Sequence, residues 1–199
     1  MSMASVSTRT AKQTRARVQD PLHFYQEPKA VTEKLIDRAF GGVGRRHLVI
    51  HDPCCGEGNI PKTFQAAGFN QAWGSDIADR GYGVVHDFLS DGYPFEPPDW
   101  ICTNPPYQDA QRVIDKALTI CDRVAVFVRL SFLEGQKRRA WFEAGCLSRV
   151  LVCSSRVLCP PKAMISAVPQ KEKPAGAIAY CWCLFDRNEA CAPTLEWIP

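Results

Sequence analysis

Several features that would assign the protein to a class are missing from its sequence. No apolar run reaches about eighteen residues, the length that a membrane-spanning helix needs. Residues 1–19 are rich in Ser, Thr and Arg but contain no apolar stretch, so they do not resemble a secretory signal. No internal repeat is visible, and the length of 199 residues fits one domain, although two are possible. We therefore expect a protein without a membrane partner.

The ten cysteines lack the paired spacing of a zinc site, because no two of them form a CxxC pair. Most lie inside apolar segments, such as VLVCSSRVLC at 150–159 and AYCWCLF at 179–185. Free thiols that pack as small apolar side chains are typical of a reducing compartment. The cysteines therefore predict no metal site and a cytoplasmic location.

Charge is nearly balanced, at a formal net charge of +3, but it is unevenly distributed. The segment 1–19 contains no acid and carries the following cations: Arg9, Lys12, Arg15 and Arg17. Such a segment is either a solvated tail or an arm that lies on a phosphate backbone. We divide the chain into a disordered basic arm at 1–19, a single domain at 20–190 and a short tail at 191–199.

Predicted helices and strands alternate along most of the chain. Helices are predicted at 28–40, 60–67, 110–121 and 134–145. Strands are predicted at 47–52, 71–76, 81–87, 99–104, 123–130, 148–158 and 177–186. Alternation favours an α/β fold with a doubly wound, mostly parallel sheet, and the last two strands favour an antiparallel hairpin at its end. Ligands of such sheets bind beyond the carboxyl ends of the strands, so residues at strand ends are the candidates for function.

The first strand runs into the glycine-containing segment DPCCGEGN at 52–59. Gly56 and Gly58 allow a tight turn and a close approach of the backbone to a ligand, just before a helix begins. A dinucleotide-binding fingerprint would have a third glycine at position 61, where this sequence has Pro61, and this disfavours a dehydrogenase. Taken alone, the turn is also explained as a simple connection.

Acids end the next two strands. Asp76 ends the second strand, where a carboxylate can accept hydrogen bonds from both hydroxyls of a ribose. Asp87 ends the third strand, where it can accept from an adenine amino group while Phe88 or Leu89 covers the ring. Either acid alone is also explained as a helix N-cap. Together with the glycine turn, the three strand ends predict a nucleoside-binding site.

The fourth strand ends in Asn104-Pro105-Pro106-Tyr107. The prolines have no amide hydrogen, so this segment favours neither a continued strand nor a new helix, and a turn is the ordinary explanation. The alternative is a site for the exocyclic amine of a nucleobase. The side-chain oxygen of Asn104 and the carbonyl of Pro105 would each accept one N–H, which aims the nitrogen lone pair, and Tyr107 would stack on the base.

In this order, DPCCGEGN, Asp76, the DF pair at 87–88 and NPPY at 104–107 resemble the motifs of class I S-adenosylmethionine-dependent amino-methyltransferases. Within that class the chain is most similar to N6-adenine DNA methyltransferases, particularly the short forms of phages and prophages. The segment FYQEP at 24–28 is similar to the segment that closes over the methionine end of the cofactor, with Glu27 where a small residue is commoner. RLSFLEG at 129–135 also resembles the phage forms.

The resemblance implies a Rossmann-like fold and S-adenosylmethionine as the cofactor. It implies that the following residues bind this cofactor: Tyr25, Pro28, Asp52, Pro53, Gly56, Gly58, Asp76, Ile77, Asp87, Phe88 and Asn104. Asp52 and the glycines would face the methionine part, Asp76 the ribose, and the pair at 87–88 the adenine. It also implies the following catalytic residues: Asn104, Pro105, Pro106 and Tyr107.

The implied reaction is methylation of a flipped adenine at N6 in DNA. The same motif serves methyl transfer to RNA adenine, to cytosine N4 in DNA and to protein glutamine. The basic arm and the 160–176 loop, with Lys162, Lys171 and Lys173, suit a nucleic acid better than a protein, and DNA is the expected partner. A non-catalytic nucleic-acid-binding protein would have no need of both the glycine turn and Asn104. Only a short tail follows Asp186, so we expect no separate recognition domain and loose sequence specificity.

Overall fold

The structure, a computed structural model, describes residues 25–41, 46–159, 178–189 and 192–199. The basic arm and the 160–176 loop lie outside these residues, so what the sequence predicts for them stays a prediction. No helix in the described residues is long and apolar enough to cross a membrane.

The described residues build one mixed sheet with helices packed against it. Its strands are β1 Ile50–Asp52, β2 Ala72–Asp76, β3 Val84–Val85, β4 Trp100–Thr103, β5 Arg123–Arg129, β6 Leu147–Cys153, β7 Tyr180–Asp186 and β8 Thr194–Ile198. The helices are α1 Lys29–Ala39, α2 Asn59–Ala66, α3 Ala110–Ile120 and α4 Gln136–Ala144, with one 3-10 turn at Leu130–Leu133. The strand order across the sheet is β3-β2-β1-β4-β5-β7-β6-β8.

The direction of the strands follows the order of the elements along the chain. The five strands that follow one another across the sheet as β3, β2, β1, β4 and β5 all pair in parallel, and helices or long loops connect them along the chain. β7 instead runs antiparallel to both of its neighbours, β5 and β6. The prediction of a mostly parallel, doubly wound sheet with an antiparallel hairpin at its end is therefore confirmed.

The last strand, β8, lies in the segment that the sequence analysis treated as a tail. It pairs in parallel with β6 and forms the edge of the sheet. Glu196 forms an ion pair with Arg149 of β6 at 2.8 Å, and Ile198 is fully buried. Trp197, by contrast, is 63% exposed, so the apolar residues of this short edge strand do not mark a single buried face.

Alternating side chains of the central strands fill two separate apolar layers. Cys102, Phe127 and Trp182 face the layer that contains residues of α1 and α2. Ile101 and Val126 face the layer that contains residues of α3. The two-residue side-chain period of a strand and the cover on both faces explain why these strands are apolar throughout.

Several predicted strands are longer than the observed ones. β3 was predicted at 81–87, but only Val84 and Val85 pair with β2, because Gly81 and Gly83 have positive φ angles of 80° and 77° that interrupt an extended chain. β6 was predicted to continue to residue 158 and ends at Cys153, where the amide of Ser154 bonds to the carbonyl of Ile198 in β8.

The fold places the candidate residues at one edge of the sheet. β1 and β4 lie side by side, and the chain winds outward from them in opposite directions, towards β2 and β3 on one side and towards β5 on the other. A crevice therefore opens beyond the carboxyl ends of β1 and β4, which is where sheets of this kind bind ligands.

Candidate active site

A pocket of about 200 Å³ occupies this crevice. The predicted site residues that line it are Tyr25, Pro53, Asp76, Ile77, Asp87, Phe88, Asn104 and Pro106. The predicted residues that do not line it are Pro28, Asp52, Gly56, Gly58, Pro105 and Tyr107. The structure thus brings the ends of β2 and β4 and the segment before α1 together around one space, as the order of the motifs predicts.

The glycine turn is held in place by the acid at the end of β2. Gly56 has a φ of 54° and donates its backbone N–H to Oδ2 of Asp76 at 2.9 Å. The other carboxylate oxygen of Asp76 accepts from the N–H of Ala78 at 3.0 Å. A loop follows Asp76, so this carboxylate does not cap a helix; it closes the turn and also faces the pocket.

Gly58 ends the turn and is the residue before α2. Its φ of 83° lies in the left-handed region, and a Cβ atom built on it would lie 2.5 Å from the ring of Tyr82. Both observations require glycine at this position. They explain the second glycine of the motif by chain geometry, without any ligand contact.

Asp52 lies deeper than the resemblance implies. Only 2% of its surface is exposed, and its Oδ1 accepts from the N–H of Cys54 at 3.1 Å. Burial raises the pKa of this carboxyl well above its usual range. Asp52 therefore shapes the start of the glycine turn from below and does not line the pocket.

The third strand end contributes a compact turn at the rim of the pocket. Oδ1 of Asp87 accepts from the N–H of Leu89 at 2.9 Å, and the carbonyl of Asp87 accepts from Ser90 at 3.0 Å. Asp87 thus starts a turn and no helix follows it. Phe88 is 3% exposed and presents part of its ring to the pocket.

A buried histidine that the sequence analysis did not single out supports this turn. His51 of β1 stacks on Trp73 with ring centroids 3.9 Å apart, and its ring nitrogens bond to the hydroxyls of Ser75 and Tyr93, each at 2.9 Å. Burial lowers the pKa of His51 to about 3, so the ring is neutral at physiological pH. Phe88 packs against its edge. His51 is a structural support. In the sequence, only its position near the end of a predicted strand could have singled it out.

The Asn104 side chain lies at the end of β4, with its nitrogen fully engaged. Nδ2 donates to the backbone carbonyl of Tyr25 at 2.7 Å and to Oε2 of Glu27 at 2.8 Å. Its oxygen, Oδ1, is buried and has no hydrogen-bond partner in the part of the chain that the structure describes. The amide is therefore held through its nitrogen, and its oxygen is an unpaired acceptor on a residue that lines the pocket, so a donor on a ligand could complete it.

Glu27 is the buried acid beside this amide. It is 7% exposed, and burial raises its pKa from the ordinary value of 4.5 to about 7. Its backbone carbonyl accepts from Nδ2 of Asn59 at 2.9 Å, which ties the segment before α1 to the start of α2. From the sequence, Glu27 was only a departure from the pattern of FYQEP. Its contact with Asn104, 77 residues away, leaves no local signal.

Tyr107 lies outside the main pocket. Its ring stacks with that of Tyr25, with centroids 5.6 Å apart and planes at 26°, and the guanidinium of Arg129 lies 4.5 Å from its centroid. It lines a second cavity of about 180 Å³ together with Phe132 and Arg138. A base that stacks on Tyr107 would therefore require rearrangement of these neighbours.

Two of the predicted residues have roles in the backbone. Pro28 precedes α1, and its carbonyl accepts from the N–H of Val31 at 3.1 Å. Pro105 is buried within the loop, and the carbonyl of Pro106 accepts from the N–H of Asp109 at 2.9 Å, just before α3 begins.

In the described residues no group of three or more His, Cys, Asp or Glu side chains is arranged to hold a metal ion.

Solved structures of low sequence identity share this architecture. A methyltransferase subunit of a type I restriction-modification system from Streptococcus thermophilus matches 83% of this chain with 14% identity and a TM-score of 0.60. The chain has the class I methyltransferase fold. The M protein of the type I restriction enzyme EcoKI matches 84% of it with 16% identity and a TM-score of 0.53. This chain spans 45% of the length of each of these two subunits.

A smaller protein shares the fold over most of its own length. A Pyrococcus horikoshii protein, described provisionally as an RNA methyltransferase, matches 83% of this chain with 16% identity and a TM-score of 0.59, and 88% of that protein is covered. No protein-family model and no curated protein matches this sequence. At these identities the likeness concerns the fold, and the function has to be argued from the site.

Proposed function

We propose that the protein is an S-adenosylmethionine-dependent methyltransferase that modifies the N6 amine of adenine in DNA. The observation that carries the proposal is Asn104, which lines the same pocket as Asp76 and Phe88 and whose buried oxygen has no hydrogen-bond partner among the described residues. A nucleoside and an amine are the two ligands that these groups suit: a carboxylate for ribose hydroxyls, a ring for a purine and an amide oxygen for N–H.

The residues of the pocket fit the proposed cofactor. Asp76 is 7% exposed, and its carboxylate is held by two backbone N–H groups and by an ion pair with Arg80 at 3.5 Å. Its remaining lone pairs could accept from ribose hydroxyls. Phe88 and Ile77 supply apolar surface for the adenine. S-adenosylmethionine would supply a methyl group on a positively charged sulfur.

On the target side, the residues would orient the amine without a strong base. Oδ1 of Asn104 and the carbonyl of Pro105 would each accept one N–H of the target amine, so that the nitrogen lone pair points towards the methyl group. Transfer of the methyl group from the cofactor sulfur would leave positive charge on the target nitrogen. The two acceptors would stabilise that charge until one N–H proton is lost to solvent.

Adenine in DNA is favoured over the other substrates by the resemblance of the motifs and by the basic arm. RNA adenine is the second candidate, because one structural neighbour is provisionally an RNA methyltransferase and another is a 23S rRNA methyltransferase, whereas others belong to type I restriction systems. We also expect the cytoplasm as the location, because the nine cysteines in the described residues are free thiols.

The cofactor half of the proposal is tested by thermal unfolding. A ligand at 100 times its dissociation constant stabilises a fold by about 2.7 kcal/mol, so S-adenosylmethionine and S-adenosylhomocysteine should both raise the Tm by several degrees. No shift with either compound at millimolar concentration would contradict the assignment. NAD serves as a control nucleotide that should give no shift, because the fingerprint glycine is absent.

The substrate half is tested by offering the same enzyme DNA and RNA oligonucleotides that contain adenine or cytosine as the only methylatable base. We expect incorporation of labelled methyl groups into adenine-containing DNA. Incorporation only into RNA would move the proposal to its second candidate, and incorporation only into cytosine would correct the target base.

A further inference from the structure

The orientation of the Asn104 amide depends on what faces its nitrogen. Two acceptors lie there, the carbonyl of Tyr25 at 2.7 Å and Oε2 of Glu27 at 2.8 Å. A backbone carbonyl is always an acceptor. A carboxyl group can only accept hydrogen bonds when it is ionised; when it is protonated, its O–H can donate while its carbonyl oxygen still accepts.

The protonation state of Glu27 therefore changes which amide orientations are favourable. An ionised Glu27 faces Nδ2 and repels Oδ1, which leaves the oxygen for the pocket. A protonated Glu27 can donate to Oδ1, so that only the Tyr25 carbonyl still favours the nitrogen on that side. The flipped amide, which presents two N–H donors to an amine that needs acceptors, then becomes less unfavourable. The ionised carboxylate also adds negative charge behind the acceptor, in a buried setting where charges are weakly screened.

We propose that Glu27 is a positioning residue that, as a carboxylate, holds the Asn104 amide with its oxygen towards the target amine and stabilises the positive charge that develops there. This inference rests on the proposed function. It assigns a role to Glu27, which stands where the family commonly has a small residue, and it predicts how the reaction depends on pH.

The surroundings of Glu27 place its ionisation in the physiological range. Burial raises its pKa to about 7, and the hydrogen bond from Asn104 opposes that shift. The titratable groups that interact with it are the Asp52 carboxyl at the end of β1 and the Cys159 thiol beyond β6, both acids. A cationic ligand in the pocket would lower the pKa of Glu27. The methyl-transfer rate should therefore rise with pH, with a midpoint at or below about 7.

The charge of Glu27 also has a measurable effect on the fold. Its pKa is raised above the ordinary value of 4.5, so between pH 4.5 and 7 the folded protein binds more protons than the unfolded chain, and stability falls as the pH rises. Glu27→Gln removes this ionisation. The Tm of Glu27→Gln minus that of the wild type should therefore increase from pH 5 to pH 8, whereas a glutamate with an ordinary pKa in the folded protein would give a constant difference.

The kinetic experiment compares wild type, Glu27→Gln and Glu33→Gln in single turnovers at saturating cofactor and DNA from pH 5.5 to 9. Glu33 is an exposed glutamate of α1, so its variant matches the charge change without touching the site. We expect Glu27→Gln to be slower at pH 8 by about tenfold or more, to lose the rise with pH, and to bind cofactor within about threefold of the wild type. Wild-type rates and pH dependence in Glu27→Gln would overturn the proposal, as would a loss confined to cofactor affinity.

A measurement that needs no activity separates this inference from the proposed function. In ¹⁵N-labelled protein, the side-chain amide signals of Asn104, identified by their loss in Asn104→Asp, should shift with a midpoint near pH 7 in the wild type and Glu33→Gln but not in Glu27→Gln. The absence of any such titration would overturn the coupling even in an active enzyme. A clear titration in a protein that transfers no methyl group would instead show that the proposed function has failed.

Discussion

The two sides of the pocket are built in different ways. On the side assigned to the cofactor, each contact joins neighbouring strand ends. Asp76 accepts from the backbone of Gly56 and Ala78, and Asp87 accepts from Leu89 two residues later. These are backbone-to-carboxylate bonds within one turn or between adjacent strands, and they fix the shape of the pocket wall.

On the side assigned to the target, the contacts join distant parts of the chain. Asn104 bonds to residues 77 and 79 positions away, and the Tyr107 ring lies between elements that supply Tyr25 and Arg129. This side also keeps a buried acceptor without a partner, Oδ1 of Asn104, among the described residues. The cofactor side is thus held in shape by its own backbone bonds, whereas the target side has a buried acceptor that a substrate would complete. Variants of the first should change affinity for the cofactor, and variants of the second should change the rate.

The largest effect is expected from Asn104→Ala. Removing one positioned polar group at a reacting centre should lower the methyl-transfer rate by about a hundredfold or more, because the amine loses the acceptor that aims its lone pair. Calorimetry should find cofactor affinity nearly unchanged. Asn188→Ala, in an exposed turn after β7, is the matched control. A near-wild-type rate in Asn104→Ala would mean that the four residues at 104–107 form only a turn.

A smaller effect is expected from Asp76→Ala, and it should fall on cofactor affinity and not on the methyl-transfer rate. Hydrogen bonds to a charged group contribute about 1.5–3 kcal/mol, so the cofactor dissociation constant should rise by roughly tenfold to a hundredfold. Single-turnover rates at saturating cofactor should change much less. Asp79→Ala, which removes an exposed acid from the same loop, is the control. If both variants bind the cofactor like the wild type, the comparison between the two sides fails.

Two glycines allow a finer test of the cofactor side. Gly58 and Gly81 both have positive φ, at 83° and 80°, but an added Cβ would meet the Tyr82 ring at Gly58 and nothing within 4 Å at Gly81. Alanine at either position costs about 1–2 kcal/mol of backbone strain. We expect Gly58→Ala to lower the Tm further than Gly81→Ala and to weaken cofactor binding as well. Equal Tm values would show that Tyr82 yields without cost.

The smallest effect concerns the basic arm, which lies outside the described residues. Deleting residues 1–19 should flatten the salt dependence of DNA binding, by about 0.9 in the log–log slope for each lost phosphate contact. The apparent KM for DNA should rise while turnover at saturation stays similar, because phosphate contacts position a protein without taking part in the reaction. Equal slopes for the full-length and shortened proteins would favour the solvated-tail interpretation.

The same comparison explains what the sequence could predict. That Asp76, Asp87 and Phe88 line one pocket could be predicted, because the positions of strand ends follow from local apolar periodicity and strand ends converge in a parallel sheet. Asn104 was found because the double proline marks its position. Its partner Glu27 was not, since no local pattern connects residues 77 positions apart.

Two other features also needed the structure. β8 is a short edge strand whose apolar residues Trp197 and Leu195 are exposed, so the burial that its apolar residues suggest does not match its position in the sheet. The position of Tyr107 outside the main pocket depends on packing with Tyr25 and Arg129, which belong to separate elements. Both features depend on tertiary contacts, which the helix and strand propensities of single residues do not predict.

The central claim is that this pocket transfers a methyl group to an amine held by Asn104. The most direct measurement is mass spectrometry of nucleosides from plasmid DNA incubated with the enzyme and methyl-deuterated S-adenosylmethionine, for wild type and Asn104→Ala. The account predicts deuterated N6-methyladenine with the wild type and a reduction of about a hundredfold or more with the variant. Deuterated adenine from both proteins at equal rates, or no deuterated nucleoside from the wild type, would contradict it.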